Sequence, residues 1–236
     1  MIKLIKISFK KFFYSFLKYF VIKFYNLRII RSFSQEGEDI ILNRIIDKKK
    51  KDELYLDVGS GHPIKYSNTY MLYLKGFKGI VVDANKENIE LHKIIRPKDI
   101  IFNEILSENK SDVNFYIYKQ SELNTINAKR ANFLKKKKIN YIKKKKIKSK
   151  NSKTFFNKDI KHLSKKIFYL NVDIEGSELE IIKSINWKIF KPSLITIEIL
   201  NTELKFLNKN KIYKIFNNNG YKVFSKLYNT FIFVKK

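Results

Sequence analysis

The sequence predicts an α/β fold: a mostly parallel seven-stranded sheet, helices on both faces, and an antiparallel hairpin at its C-terminal end. Three observations carry this. Short apolar runs of strand length alternate with stretches whose apolar residues recur at three- and four-residue steps, as in right-handed βαβ units. The last two apolar runs, Tyr221–Phe224 and Thr230–Val234, are joined by a short turn and read as an antiparallel pair. A hydrophobic fraction of 44% and an aromatic fraction of 15% over 236 residues are ample for a packed core.

The elements follow in order. Residues 1–31 form a first unit, in which Phe9, Phe12, Phe13, Phe16, Phe20 and Phe24 recur at helical steps among lysines. That spacing predicts a basic amphipathic helix. Its longest near-apolar stretch, Phe12–Ile22, is too short to span a bilayer, and no small-residue cleavage site follows. The helix is expected either to pack on the domain or to lie on an anionic membrane surface. Residues 32–236 form the domain. Ser34 is placed to cap a helix whose Ile41, Leu42, Ile45 and Ile46 share a face and which stops in the polar run Asp47–Glu53. Leu54–Val58 reads as a buried strand, Gly59-Ser60-Gly61-His62-Pro63 as the turn after it, and Ser67–Lys75 as a helix. Gly79–Asp83 is a second strand, Asn85 caps a helix carrying Leu91, Ile94 and Ile95, and Asp99–Leu106 is a third strand.

Residues 107–166 are less regular. They hold a strand-like run, Val113–Tyr118, and two four-lysine blocks, Lys135–Lys138 and Lys143–Lys146. Sixty residues exceed what a simple crossover needs, so the stretch reads as an insertion with its own hairpin or helix, placed as a substrate lid would be. Ile167–Asp173 restores the pattern as a central strand. Ser177 and Glu180 have capping-box spacing ahead of a helix carrying Leu179, Ile182 and Ile185. Leu194–Leu200 is another strand. A helix over Leu204–Phe216, closed by Asn219-Gly220, precedes the hairpin.

The chain carries 50 Lys+Arg against 22 Asp+Glu, a formal charge of +28, and only five of the cations are Arg. Such a surplus admits an anionic partner. Its company of Asn, Ile, Phe and Tyr reads as compositional drift, and the scarcity of Arg disfavours a nucleic-acid specialist. The absence of Cys excludes disulfides, thiolate metal sites and cysteine nucleophiles, and three His argue against a three-histidine zinc site. No metal is expected.

The chemistry concentrates in one unit of 30 residues, Leu54 to Asp83. A strand ending in Asp57 leads into a turn in which Gly59 and Gly61 allow close backbone approach. Asp83 ends the next strand about 20 residues past the glycines, where a carboxylate meets a ribose diol. This describes an adenosine-type cofactor, with Asp57, Gly59, Ser60, Gly61, Asp83, Ala84, Asn85 and Glu104 as its candidate contacts. Ile64 stands where a dinucleotide fingerprint needs a third glycine, and Pro63 alters the turn, so a nicotinamide cofactor is disfavoured. S-adenosylmethionine has no pyrophosphate and tolerates this loop. Asp57 is expected to pair with its amino group. Asp173 and Glu175 lie just past the central strand. With Asp57, Asp83, Glu104 and Glu198 they make six acids at or near strand ends.

At these residues the chain resembles the FkbM-type S-adenosylmethionine-dependent methyltransferases. The resemblance rests on Ser34-Gln35-Glu36-Gly37-Glu38-Asp39, Asp57–Pro63, Ser67-Asn68-Thr69-Tyr70, Leu123-Asn124-Thr125 and Val172-Asp173-Ile174-Glu175-Gly176. It covers about Phe33 to Ile199. It implies a Rossmann-like class I methyltransferase sheet and mostly O-methylation, often of sugars or polyketide hydroxyls. Many members carry Glu-Pro where this chain has Asp83-Ala84, a shorter acid that should still reach a ribose. Tyr70, Asn124 and Glu175 are then expected to shape the acceptor pocket. His62, which titrates near neutral pH, and Asp173 are the candidate bases. The lysines suit an anionic acceptor such as a nucleotide-linked sugar or a bacterial surface glycan. The expected location is the cytoplasm, with contact at the inner membrane face if the first helix lies there. The alternative reading is a nucleic-acid-binding or RNA-modifying protein that uses the lysine blocks.

Overall fold

The computed structural model of the chain describes residues 13–20, 23, 31–46, 52–109 and 111–236. The chain divides into two compact units, Met1–Arg31 and Ser32–Lys236. In the first, residues 13–20 and Lys23 are helical; Phe9, Phe12, Ile22 and Phe24 of the expected helix lie outside the described residues.

The second unit is built on β1 (Leu54–Val58), β2 (Lys78–Asp83) and β3 (Ile100–Asn103), then β8 (Ile167–Val172), β9 (Leu194–Glu198), β10 (Tyr221–Leu227) and β11 (Thr230–Lys235). These seven pair in the order β10-β11-β9-β8-β1-β2-β3. β3, β2, β1, β8 and β9 run parallel, and β11 runs antiparallel to both β9 and β10. The fold class is the expected one.

Alternate residues of the central strands feed two apolar layers. Leu56, Val58, Leu170 and Val172 pack with Ile181 and Ile182 of α5 (Glu178–Ser184) and Phe216 of α6 (Lys211–Asn218) on one face. Tyr55, Val81, Tyr169 and Ile232 pack with Leu42 and Ile46 of α1 (Glu38–Ile46) and Leu72 of α2 (Tyr70–Leu74) on the other. Between β1 and β8 the connections diverge to opposite sides, which opens a cleft beyond their carboxyl ends.

Several elements differ from expectation for local reasons. Ser34 does bond the Asp39 N–H, at 3.2 Å, but α1 starts at Glu38, and the polar run at 47–51 lies outside the described residues. The helix expected over Ser67–Lys75 is only α2, because the Ser67 hydroxyl accepts the Tyr70 N–H at 3.1 Å and holds the preceding turn open. The third strand stops at Asn103, and Leu106–Ser107 (β4) pairs instead with Lys150–Asn151 (β7). No capping box forms at Ser177; the Glu178 carboxylate takes the Ile174 and Gly176 N–H groups at 3.2 and 2.9 Å. The long helix after β9 breaks at Asn210, whose extended backbone and side chain cap α6.

The insertion contains both a ribbon and a helix. β5 (Asp112–Tyr118) pairs antiparallel with β6 (Tyr141–Lys148), so the second lysine block is a strand. Between them α4 (Ala128–Lys136) starts at Asn127, which caps it through Lys129 and Arg130 N–H. α3 (Lys86–Ile95), capped by Asn85, completes the β2–β3 crossover.

Candidate functional site

A cavity of about 390 Å³ opens at the carboxyl ends of β1, β2, β8 and β9, within the size range of small-molecule sites. Its floor is the β1 turn. There Gly59 has φ +82, and a Cβ would run into the Asp173 carbonyl oxygen, so the turn and the end of β8 touch through bare backbone. Gly59 and Ser60 donate to the Val82 carbonyl at 2.8 and 3.2 Å. Gly61 donates to one Asp83 oxygen at 2.8 Å and Asn85 N–H to the other at 2.7 Å. Burial nevertheless raises Asp83 to about 6, against those two bonds. The Ser60 hydroxyl is buried in the wall without a hydrogen-bond partner. Ala84, Asn85 and Glu104 line the same side.

Charge in the cavity runs opposite to charge in the chain. Eight Asp and Glu residues line it, among them Glu36, Asp83, Glu104, Asp173, Glu175 and Glu198, against Lys65 and Arg130. Oxygens of Asp173, Glu175 and Glu198 lie within 4.8 Å of one another. Asp173 exposes its surface to the cavity, and its enclosure there, then the neighbouring Glu198 and Glu175, push it above the usual carboxylate range. Burial and the same crowding raise Glu198 to about 8. Glu175 sits at φ +56, a left-handed conformation costly for Glu, and is held there by its neighbours. Arg130 grips one of its oxygens from Nε at 2.7 Å and a terminal nitrogen at 2.6 Å. Thr125 donates to the Glu175 carbonyl at 2.8 Å. Burial pushes Glu175 up and Arg130 pulls it back.

Residues 57–223, which are 167 of the 236, match the methyltransferase FkbM domain. The chain belongs to that family. As an FkbM methyltransferase it takes S-adenosylmethionine as cofactor and methyl donor. No curated protein matches the chain significantly. Solved structures similar to it include a TehB-like S-adenosylmethionine-dependent methyltransferase from Corynebacterium glutamicum, at 9% identity over 93% of this chain and 97% of that one, with a TM-score of 0.43. A precorrin-6y C5,15-methyltransferase from Geobacter metallireducens is similar at 12% identity over 89% and 92%, also at 0.43. A protein provisionally described as an RNA methyltransferase from Pyrococcus horikoshii is similar at 12% over 85% and 81%, again at 0.43.

The cavity of this FkbM methyltransferase fits its cofactor. A sulfonium with an ammonium is cationic, and the lining is acidic. Asp83 keeps lone pairs for a diol, and the unpartnered Ser60 hydroxyl is a free polar group beside the bare Gly59 turn. Gly59, Ser60, Gly61, Asp83, Ala84, Asn85 and Glu104 are therefore together at one wall.

Three expected residues are placed differently. Asp57 does not line the cavity. It is 1% exposed and turns inward, where its oxygens accept from Thr69 Oγ1 at 2.5 Å and Asn171 Nδ2 at 2.8 Å, so a cofactor amino group in the cavity does not reach it. Tyr70 also lies outside the cavity, edge-on to Phe33 and under the Arg96 guanidinium. His62 does line the cavity, but its Nδ1 accepts the Ile64 and Lys65 N–H groups at 3.0 and 3.1 Å. The proton of the neutral ring then sits on Nε2, which leaves no free lone pair for a base. Burial and Lys65 lower its pKa further. Asn124 lines the cavity while its Oδ1 accepts the Tyr118 N–H at 2.9 Å.

Sequence reasoning missed several residues. Arg96 is fully buried and donates to the Pro63 carbonyl, to Thr69 Oγ1 at 2.8 Å and to Ser67 Oγ at 2.6 Å, which anchors the segment after the Gly59–Gly61 turn. Arg130 clamps Glu175. A signal for both was present: where lysine fills nearly every cationic position, a retained arginine marks a need for its planar fork. The hairpin turn Tyr228-Asn229 also lines the cavity, because Thr230 of β11 pairs with Glu198 at the carboxyl end of β9.

Proposed function

We propose that this FkbM methyltransferase methylates a hydroxyl oxygen on a sugar or glycan-type acceptor, and that Asp173 receives the hydroxyl proton. One observation carries the reading: the exposed carboxylate of Asp173 opens into the cavity with oxygens of Glu175 and Glu198 within 4.8 Å. Enclosure in the cavity and that crowding raise its proton affinity above that of an isolated Asp. The cofactor, when bound, supplies a methyl group on a cationic sulfur. The residues of the chain position the acceptor and remove its proton, so a new O–C bond forms as the C–S bond breaks and the proton ends on Asp173. Glu198 lies close enough to share that proton, and Arg130 holds Glu175, the third acid, in place. A second cavity, continuous in its lining with the first through Arg130, Glu198, Leu200 and Asn201, adds Lys129, Lys209 and Lys211, which supports an acceptor bearing acidic groups.

A second reading, methylation of RNA, is favoured by one feature. Lys143–Lys146 of β6 pair with Ile117, Tyr116, Phe115 and Asn114 of β5, none of them acidic, and only Lys148 of the strand meets an acid, Asp112. It predicts RNA binding with a steep salt dependence. The deciding experiment is a mass-read acceptor screen with wild-type protein and Asp173→Asn after calorimetry shows cofactor binding by both. The O-methylation reading expects a sugar product 14 Da heavier and a loss of about 100-fold or more in kcat for the variant. A methylated nucleic acid, or full activity in Asp173→Asn, would sink it.

A further inference from the structure

The first unit contains an exposed helix that lies outside the residues matching the methyltransferase domain. Residues 13–20 are helical, and Phe13, Phe16, Leu17 and Phe20 fall at i, i+3, i+4 and i+7, which is one stripe on a 3.6-residue helix. The Phe16 and Phe20 rings lie 5.5 Å apart along it. Phe13, Phe16 and Leu17 remain 56%, 52% and 50% exposed. Helical spacing puts Ser15 and Lys18 on the opposite side. The first 35 residues contain eight Lys and Arg and no acid.

We propose that this segment is an amphipathic helix that docks on an anionic phospholipid bilayer. A bilayer interface offers both parts of what the helix lacks. Acyl chains cover an apolar stripe while anionic headgroups meet the cations around it. A second copy of the chain could cover the stripe, but it would bring eight like charges against eight with no acid between them. A nucleic acid would meet the cations and leave three half-exposed apolar side chains in water. No helix among the described residues is long and apolar enough to cross a membrane, so the contact is with the surface.

The test uses the full chain and vesicle co-sedimentation. Vesicles of phosphatidylcholine alone are compared with vesicles of phosphatidylcholine and phosphatidylglycerol, at low and high salt. The expected result is binding only to the anionic vesicles, weakened by salt. The variant Phe13→Ser, Phe16→Ser, Leu17→Ser should lose at least about 10-fold in partitioning while its circular dichroism and cofactor binding stay at wild-type values. A second variant, Lys10→Gln, Lys11→Gln, Lys18→Gln, Lys23→Gln, should lose about 10-fold or more and most of its salt dependence. Equal binding to neutral and anionic vesicles, or no binding by the folded chain, overturns the proposal. So does a dimer, or a complex with an RNA oligomer, that forms without vesicle binding and is lost in the serine variant.

Discussion

At the scale of single residues, the site shows how one side-chain type takes several roles by environment. Asp57, Asp83 and Asp173 all follow strand-end logic, yet the first is buried against Thr69 and Asn171, the second organises the Gly59–Gly61 turn, and the third opens to the cavity. Asp83 gives a pH prediction. Its raised value of about 6 means that acid protonates it while most exposed carboxylates are still ionised. A protonated Asp83 loses acceptor capacity for Gly61, Asn85 and a ribose. Cofactor affinity, measured by calorimetry, should therefore fall as pH drops through about 6, and Asp83→Asn should flatten that dependence. His62→Gln should retain most of kcat, since the ring acts on the turn rather than on a substrate proton. A large loss in kcat with unchanged cofactor binding would contradict this. Arg96→Met should destabilise by about 3–5 kcal/mol in denaturant melts, because it strips the partner from Thr69, Ser67 and the Pro63 carbonyl in a fully buried place.

At the scale of elements, the strands of the central sheet were legible because burial on both faces leaves runs that are apolar but for one residue, Asp57 in Leu54–Val58 and Asn171 in Ile167–Val172. Helix boundaries were less so. Ser67, Glu178 and Asn210 decide them through specific side-chain bonds that the same residue types could have made elsewhere. The turn after β1 was legible for a stronger reason, since a Gly pair and an acid at fixed spacing serve one geometry, in which Gly61 donates to Asp83. Who bonds whom across the site was not, because Arg130 meets Glu175 across 45 residues of chain. That contact predicts a coupling between elements. Arg130→Met should free the Glu175 loop, leave cofactor affinity within about threefold, and lower kcat/KM for the acceptor by at least about 10-fold. Arg130→Lys should rescue only part, since a single ammonium cannot reproduce the two-nitrogen grip.

At the scale of the whole molecule, two charge effects oppose each other. The +28 surplus repels itself, so the melting temperature should rise with added salt at neutral pH. The buried acids act against the usual trend with pH. Glu178 and Glu198 are raised to about 7 and about 8, so the folded protein holds protons that the unfolded chain has already released. Stability due to these groups is therefore complete below the unfolded carboxylate range and is lost as pH rises toward 8. Buried His92, lowered to about 3, works in the opposite direction, but only below the unfolded histidine value of about 6.5. Between about pH 6.5 and 8.5 the melting temperature should fall in wild type, and Glu198→Gln should fall less. The overall charge was read easily from composition. Its inversion inside the cavity was not, because the acids that line it come from segments as far apart as Glu36 and Glu198.

The order β10-β11-β9 has a consequence for how the domain is assembled. In the main sheet β10 pairs only with β11, and β11 alone joins β10 to β9. A chain emerging from the ribosome can therefore form every parallel pair while β10 waits with no strand to join. The edge of β9 stays uncovered during that interval, and an open edge recruits other chains. Residues 230–235 then close the sheet and carry the Tyr228-Asn229 turn to the cavity in one event. Completion of this side of the cavity thus waits for β11, and the cavity is unfinished until that strand has paired.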